Sequence, residues 1–214
     1  MDLFTELEEN SEQKFEVYPL KDDSEIWYMK HFLKQKEANE YFNVFYNTVE
    51  WRQENIEIYG KIHPYPRLIA WFGYEGQDYV YSGYRRSMKQ WTPELLSLKQ
   101  KIETLLPWHK FNSVLLNLYR NGNDKVAWHA DHEKDTIENP LIASLSLGAT
   151  RRFDIKHRTE PGLEMKFELE NGSLIIMKDA FQHYWMHQVP VQKKVTEARI
   201  NLTFRKIGTV LGNR

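Results

Sequence analysis

The stretch ARINLTFRK, residues 198–206, alternates apolar and polar side chains with a period of two, which is typical of a β-strand. One face of this strand is apolar and the other carries two arginines; the two sets are Ile200, Leu202 and Phe204, and Arg199, Asn201, Thr203 and Arg205. The polar face suits a surface strand. It suits equally the inner wall of a β-barrel in which an anionic ligand, such as a dicarboxylate, pairs with the buried guanidinium groups.

The same period of two runs through the segments that precede this strand. It is found in FNSVLLNLYR (residues 111–120), LIASLSLGAT (141–150) and LEMKFELE (163–170), and an Asn171-Gly172 turn then leads to the apolar segment SLIIM (173–177). In the first segment, Asn117 and Tyr119 share the polar side. Many short strands separated by turns, with no intervening helix, predict an antiparallel two-sheet β-barrel or jelly roll.

The N-terminal third has helical periodicity instead. In KQKEANEYFNVFYNTVEW (34–51), apolar residues recur at helical spacing, namely Phe42, Phe45, Tyr46 and Val49. A second helix is predicted to begin at Thr92-Pro93, with Leu95, Leu98, Ile102 and Leu105 on one side. Residues 61–84, rich in aromatics, Gly and Pro, predict hairpins and loops. We therefore expect a mobile tail (1–15), a segment of helices and hairpins (16–110) and a β core (111–208) within one globular unit.

Composition limits the chemistry. The 214 residues are 41% hydrophobic and contain no cysteine, so the chain can bury a core but has neither disulfides nor thiolate metal ligands. The N-terminus is acidic and has no secretory signal pattern, and no apolar run reaches membrane-spanning length. We expect an intracellular monomer without membrane association, cytoplasmic if the source is a bacterium.

A metal site is suggested by AWHADHE, residues 127–133, in which His129 and Asp131 lie two positions apart. One such pair is weak evidence. The segment HYWMHQVP (183–190) supplies His187, which fits either a packed core residue or a third ligand. Two imidazoles and one carboxylate form the facial site of non-haem Fe(II) oxygenases. His132 falls on the opposite side of a strand from His129, whereas His183 remains a competing candidate.

The ordered set NLYRNGNDKVAWHADHE, IASLSLGATRRF, HYWMHQVP and ARINLTFR resembles the AlkB-type Fe(II)/2-oxoglutarate dioxygenases that reverse alkylation damage in nucleic acids. The resemblance covers roughly residues 59–207 and is closest to the human homologues acting on duplex and on single-stranded substrates. It implies a mainly β protein with flanking helices (α+β). The core would be a double-stranded β-helix, or jelly roll, with an N-terminal helical and hairpin lobe that recognises the substrate.

The resemblance also implies the site residues. It makes His129, Asp131 and His187 the Fe(II) ligands and Arg199 the partner of the distal carboxylate of 2-oxoglutarate, with O2 as the second cosubstrate. Arg205 would lie near the proximal end of 2-oxoglutarate. The remaining residues expected to bind this cosubstrate are Asn117, Tyr119, Asn201 and Thr203.

The implied reaction is oxidative demethylation of bases such as 1-methyladenine and 3-methylcytosine in DNA, with release of formaldehyde and succinate. Because the damaged edge is hidden in a duplex, the base must be flipped or unpaired. The resemblance assigns substrate roles to Tyr59 as a wedge, Lys61 as a phosphate contact, Tyr79 and Tyr81 around the flipped base, and Glu133 near its exocyclic amine.

Several alternatives stay open on the sequence alone. Tyr79 and Tyr81 also suit an ordinary half-buried strand, and Arg151 and Arg152 suit either contacts to the nucleic-acid backbone or a solvated turn. The expected hairpin tip is Tyr59 where the duplex-active relatives have Phe, so strand preference is not fixed. An RNA demethylase, a 2-oxoglutarate-dependent hydroxylase of a protein or small molecule, and a non-catalytic binding barrel remain as other functions.

Overall fold

The computed structural model describes residues 14–58, 61–74, 78–81, 84–131 and 140–208; within residues 56–61 and 75–87 it describes backbone only. The N-terminal elements are β1 (Glu16–Leu20), β2 (Ser24–Met29), α1 (Gln35–Thr48), β3 (Asn55–Ile58), β4 (Lys61–Pro64), β5 (Leu68–Gly73), β6 (Asp78–Tyr81), β7 (Tyr84–Ser87), β8 (Lys89–Gln90) and α2 (Pro93–Leu105). The C-terminal elements are β9 (Ser113–Tyr119), β10 (Val126–His129), β11 (Ile142–Gly148), β12 (Arg151–His157), β13 (Glu164–Leu169), β14 (Leu174–Asp179), α3 (Phe181–Tyr184), β15 (Trp185–Val189) and β16 (Arg199–Arg205).

Two β-sheets form the body of the protein. The larger has eight strands in the order β1-β2-β14-β11-β16-β9-β5-β8, and the smaller has four in the order β10-β15-β12-β13. Side chains of both sheets meet in one buried cluster, in which Ile142 and Ile175 of the larger sheet pack with Phe153 and Trp185 of the smaller. The predicted mainly β, two-sheet jelly roll is confirmed.

The other face of the larger sheet is covered by the two long helices. Ile200, Leu202 and Phe204 are fully buried there, in a second cluster that includes Phe45 of α1 and Leu98 of α2. Because side chains alternate along a strand, the polar residues of β16 must then point between the two sheets. The tertiary structure thus decides the question that the alternation left open, in favour of the inner wall.

Both predicted helices are present. α2 begins at Pro93, and the Thr92 hydroxyl caps it by accepting a hydrogen bond from the Leu95 amide at 3.3 Å. In α1 the predicted apolar stripe is partly wrong, because Tyr46 is 46% exposed and Ala38 is buried instead. The face of α1 that meets the sheet is therefore rotated from the one that the aromatic spacing indicated.

The strand prediction was incomplete at the N-terminus and wrong at one internal point. β1, β2 and β5 come from the segment expected to hold helices and hairpins, yet they are strands of the larger sheet. The one-turn helix α3 interrupts a region expected to lack helices. The boundary expected at residue 110, between the segment of helices and hairpins and the β core, stays a prediction. Within the described residues, none of the helices is both long and apolar enough to cross a bilayer.

Candidate metal and dicarboxylate site

Strand pairing brings two histidines together across 58 positions of sequence. β10 pairs with β15 in the antiparallel direction, and the register sets His129 opposite His187. Their ring centroids are 4.2 Å apart. Directly opposed residues in an antiparallel pair have neighbouring side chains on the same face, so both imidazoles point toward the same side of the smaller sheet.

Asp131 completes the cluster just beyond the end of β10. Its carboxylate oxygens lie 3.7 Å from the Nε2 atoms of both His129 and His187. One ligand atom from each residue can be chosen so that all three lie within 4.8 Å of one another. His183 lies on α3 and is not a member of this cluster, which is the single group of this kind in the described parts of the chain.

The electrostatics keep Asp131 and His187 in the protonation states that a metal requires. Burial alone would raise the pKa of the Asp131 carboxyl, but the charges of Arg205, His187 and His129 outweigh it and hold that pKa at about 2. Burial, reinforced by the neighbouring His129, lowers the pKa of His187 to about 3. At neutral pH the aspartate is ionised and His187 is a neutral imidazole, which are the forms that bind metal ions.

The orientation of His129 is fixed by its own main chain. Its Nδ1 atom lies 2.9 Å from the Ala127 carbonyl oxygen, so Nδ1 is the donor and Nε2 is directed toward Asp131. The Nδ1 atom of His187 is buried and has no hydrogen-bond partner among the residues described. The Nε2 atom of each ring therefore faces the cluster.

A cavity between the sheets begins at this cluster and extends along β16. Arg199 and Arg205, at opposite ends of β16, both line it, as do the two histidines and Asp131. Arg205 approaches Asp131 with its Nη2 atom 3.4 Å from Oδ1. The two arginines thus share one cavity although six residues of strand separate their backbones.

Arg199 is 1% exposed and its hydrogen bonding is incomplete. Nη2 donates to the Ser146 hydroxyl at 2.8 Å, but Nε and Nη1 have no acceptor in the part of the chain that is described. Burial lowers the pKa of this guanidinium to about 10, against the opposing effect of Tyr119 nearby, so it stays charged at neutral pH. A buried cation with unused donors fits an anionic ligand.

The other predicted cosubstrate residues lie on the same inner face. The register of β9 and β16 sets Asn117 opposite Asn201 and Tyr119 opposite Arg199. Asn201 donates to the Ser144 hydroxyl at 2.7 Å and accepts from the Thr203 hydroxyl at 3.0 Å. The amide and hydroxyl groups in the middle of β16 are therefore oriented by one another.

The donor set fits Fe(II), and the cavity fits a small dicarboxylate. Two imidazoles and one carboxylate make the 2-His-1-carboxylate arrangement of non-haem Fe(II) sites. The charged residues that line the cavity are one carboxylate, Asp131, and three arginines, Arg67, Arg199 and Arg205. The excess of positive charge suits a dianion.

Comparison with known proteins agrees with this chemistry. Residues 25–205 match the family described as the 2OG-Fe(II) oxygenase superfamily. The chain belongs to this superfamily. A crystal structure described as an oxidoreductase of the 2OG-Fe(II) oxygenase family from Burkholderia pseudomallei gives a TM-score of 0.56 over 84% of each chain at 11% identity, a likeness in fold alone.

Curated relatives of this oxygenase are AlkB homologues, which confirms the resemblance seen in the sequence. The chain is 40% identical over 187 residues to alpha-ketoglutarate-dependent dioxygenase alkB homolog 3 of Bos taurus. It is 36% and 35% identical over 181 residues to DNA oxidative demethylase ALKBH2 of Bos taurus and Homo sapiens. The alignments cover 82%, 80% and 80% of this chain and 64%, 65% and 69% of the relatives. The chain thus spans slightly less than two thirds of the length of the first two.

Two features of this oxygenase site were not predicted from the sequence. Arg67 is buried in the cavity, and its Nε donates to the Asn117 side chain at 2.7 Å. Its position before a strand of apolar residues gave it no distinguishing pattern. Gln182 is completely buried on α3 and accepts a hydrogen bond from the Asp131 amide at 2.8 Å. Neither contact has a local sequence signal, because the partners are 50 and 51 positions apart.

One suggestion about the surface of the oxygenase was wrong. Arg151 is 1% exposed and donates to three backbone carbonyls, so it is a structural residue and no contact for a nucleic-acid backbone. Arg152 pairs with Asp154, with 2.8 Å between Arg152 Nε and Asp154 Oδ1.

The residues expected to contact the substrate lie wholly or partly outside the described structure. Tyr59 and Glu133 are not among the described residues, and neither is His132, the discounted candidate for a metal ligand. Lys61, Tyr79 and Tyr81 lie on strands of the two hairpins, where the backbone alone is described. Their roles stay predictions.

Proposed function

We propose that this chain catalyses Fe(II)- and 2-oxoglutarate-dependent oxidative demethylation of alkylated DNA bases, such as 1-methyladenine and 3-methylcytosine. Oxygen insertion into a C–H bond of the N-methyl group gives a hemiaminal, which loses formaldehyde and leaves the repaired base. The observation that carries the proposal is the convergence of His129, Asp131 and His187 at one end of a cavity that also holds the incompletely bonded Arg199.

In this proposal the Nε2 atoms of His129 and His187 and the carboxylate of Asp131 hold the iron. Bound iron and 2-oxoglutarate would supply the oxidising chemistry, in which oxygen is activated while 2-oxoglutarate becomes succinate and carbon dioxide. The protein contributes two ligands, Asp131 and His187, that are deprotonated before a metal binds. Asp131 needs no proton removed near neutral pH, since its pKa is about 2. Three protein ligands leave other coordination positions open.

Arg199 orients the cosubstrate. Its free Nε and Nη1 donors would take the distal carboxylate through charge-assisted hydrogen bonds, while Ser146 holds the guanidinium from the other side. Arg205 lies beside Asp131 and would stabilise negative charge at the proximal end. The network of Asn201 and Thr203 presents polar groups between the two ends.

The substrate class is inferred from the relatives. Two of them are named DNA oxidative demethylase. A methylated Watson–Crick edge is accessible only when the base leaves the stack. Tyr81 and Tyr79 around the base, Glu133 near the exocyclic amine, Tyr59 as the wedge and Lys61 on a phosphate remain the predicted contacts.

The test is formaldehyde and succinate release from oligonucleotides carrying 1-methyladenine or 3-methylcytosine, offered as single-stranded DNA, duplex DNA and RNA. We expect turnover on DNA and its loss in Asp131→Ala, which removes the carboxylate ligand. Asp154→Ala is the matched control, because Asp154 is also a buried aspartate but pairs with Arg152 and Gln188.

Each arm of the test separates two possibilities. Turnover on RNA alone would replace DNA by RNA as substrate. Succinate formation that no oligonucleotide stimulates would favour a hydroxylase of another substrate class. Full activity in Asp131→Ala would contradict the iron site itself, and Tyr81→Ala with unchanged turnover would remove the predicted base clamp.

A further inference from the structure

Asp131 lies outside the hydrogen-bond ladder of the smaller β-sheet. β10 ends at His129, where the ladder with β15 closes on His187, and Asp131 follows two residues later. The side chain of Asp131 is nevertheless almost fully buried. A buried backbone amide outside a ladder needs another acceptor, and the amide of Asp131 finds it in the side chain of Gln182.

Gln182 is a fully buried glutamine with both ends of its amide engaged. Oε1 accepts from the Asp131 amide at 2.8 Å, and Nε2 lies 3.5 Å from the sulfur of Met177, a residue that also lines the cavity. The orientation of the amide is determined, because only the oxygen can accept from a backbone N–H. Burying an amide is unfavourable unless it is hydrogen-bonded, and both ends of the Gln182 amide have a partner.

The location of Gln182 connects the two segments that carry the cluster. It lies on α3, which leads directly into β15, and His187 follows five residues after it. The carbonyl of Gln182 also accepts from Arg158 Nη2 at 3.2 Å. The backbone of Gln182 is thus anchored on the helix that leads into the strand of His187, while its side chain holds the main chain of Asp131.

We infer that Gln182 is a positioning residue that sets the distance between the Asp131 carboxylate and the His187 imidazole, and thereby the metal affinity of the site. The inference rests on the proposed function, since it takes Asp131 as a metal ligand. Groups that orient ligands typically change metal affinity by about 10- to 100-fold when they are mutated. A glutamine acting through the backbone of a ligand should belong to the same class.

The experiment measures the dissociation constant of Mn²⁺, used as an air-stable probe, on the full chain without cosubstrate. Gln182→Leu removes both polar ends, and Gln182→Asn keeps an amide whose oxygen is too short by one methylene to reach the Asp131 amide. We expect both to raise the Kd at least about 10-fold. Because Gln182→Asn is the milder change, it decides the matter if the leucine variant does not fold.

Gln188→Leu is the matched control. This glutamine is adjacent to His187 but donates to Asp154 at 3.0 Å, on the outer side of the smaller sheet. It should lose some resistance to urea while keeping the wild-type Kd. With Co²⁺ as a second probe, the visible absorption band should change in Gln182→Asn and remain that of the wild type in Gln188→Leu.

Two results would overturn the inference, and they are distinguishable. Wild-type Mn²⁺ affinity in both Gln182 variants, beside measurable binding in the wild type, would remove the positioning role and leave the iron site intact. Absence of Mn²⁺ binding in the wild type itself would remove the proposed metal site, and with it the basis for this role.

Discussion

Two arginines of this protein are equally buried and differ in what surrounds them. Arg151 and Arg199 are each 1% exposed, and their Cζ atoms lie 5.6 and 5.3 Å from the same Tyr119 ring. Arg151 donates to the carbonyls of residues 121, 124 and 190 and to the Gln192 side chain. Arg199 donates to the Ser146 hydroxyl and keeps Nε and Nη1 unbonded within the described structure.

Burial of a charge therefore does not by itself mark a functional site. A buried guanidinium whose donors all meet carbonyls is part of the architecture. It connects the loop after β9 to the end of β15, and it needs no ligand. A buried guanidinium with donors left over destabilises the unliganded fold. A ligand that supplies the missing acceptors would offset this cost. The ligand proposed here is 2-oxoglutarate.

Among the substitutions that test this comparison, Arg199→Leu is expected to have the largest effect. Truncating one partner of a buried charge pair costs about 2 to 5 kcal/mol of binding, so the Kd for 2-oxoglutarate should rise at least about 30-fold. The unliganded variant should be as stable as the wild type or more so. Titration calorimetry with 2-oxoglutarate and urea unfolding measure the two quantities. Unchanged affinity would mean that the free donors of Arg199 do not face the cosubstrate.

The opposite pattern is expected for Arg151→Leu. Removing it leaves one buried and two part-buried carbonyls without this donor, which should lower the free energy of unfolding by about 3 kcal/mol. For a chain of this size, the melting temperature should then fall by roughly 10 °C. The affinity of the folded variant for 2-oxoglutarate should change far less than in Arg199→Leu. A variant with wild-type stability would show that the carbonyls find other donors.

The smallest expected effect is a pH dependence of stability that arises from His187. Like Arg199, His187 has a buried nitrogen, Nδ1, without a hydrogen-bond partner among the described residues. Its pKa is lowered from 6.5 to about 3 in the folded state, so the unfolded chain takes up this proton first as the pH falls. Stability from this group is therefore present above pH 6.5 and is lost toward pH 3, with a slope of at most about 1.4 kcal/mol per pH unit. The pKa of Asp131, lowered from 3.8 to about 2, adds a loss of the same sign below pH 4.

Urea unfolding of the metal-free protein between pH 7 and pH 4.5 measures this slope. His187→Gln lacks the titrating ring, so its curve should be flatter than that of the wild type over the same interval. Parallel curves would show that the burial of His187 does not govern its protonation. The histidines that do not contact His187 are common to both proteins and cancel in the difference between the curves.

The predictability of the fold followed the strength of the local pattern. β13 and β16 alternate cleanly, β9 and β11 alternate in part, and β14 is an apolar run after an Asn-Gly turn. α2 has both its stripe and its cap, so these elements could be located from sequence. β12 was missed although Phe153 and Ile155 alternate inward, because charged residues dominate the segment. β1 and β2 carried no decisive pattern, and α3 is too short to produce a helical period.

The residues of the candidate site likewise fall into those with a local sequence pattern and those without one. Motifs carried by one segment, such as His129-x-Asp131 and the polar face of β16, are visible in the order of the residues alone. Arg67 and Gln182 are not, because each acts through a contact with a residue about 50 positions away. No local pattern records such a contact.

The order of the residues is enough to identify the groups that carry the chemistry, which are two imidazoles, a carboxylate and a pair of arginines. Side-chain alternation fixes which of the residues on one strand share a face. The packing of the whole chain places this face between the sheets and sets His187 opposite His129. It also decided that Arg151 is satisfied whereas Arg199 is not. The physical reason is that a strand has two equivalent sides until another layer covers one of them, and hydrogen-bond partners are set by strand pairing and packing across the whole chain.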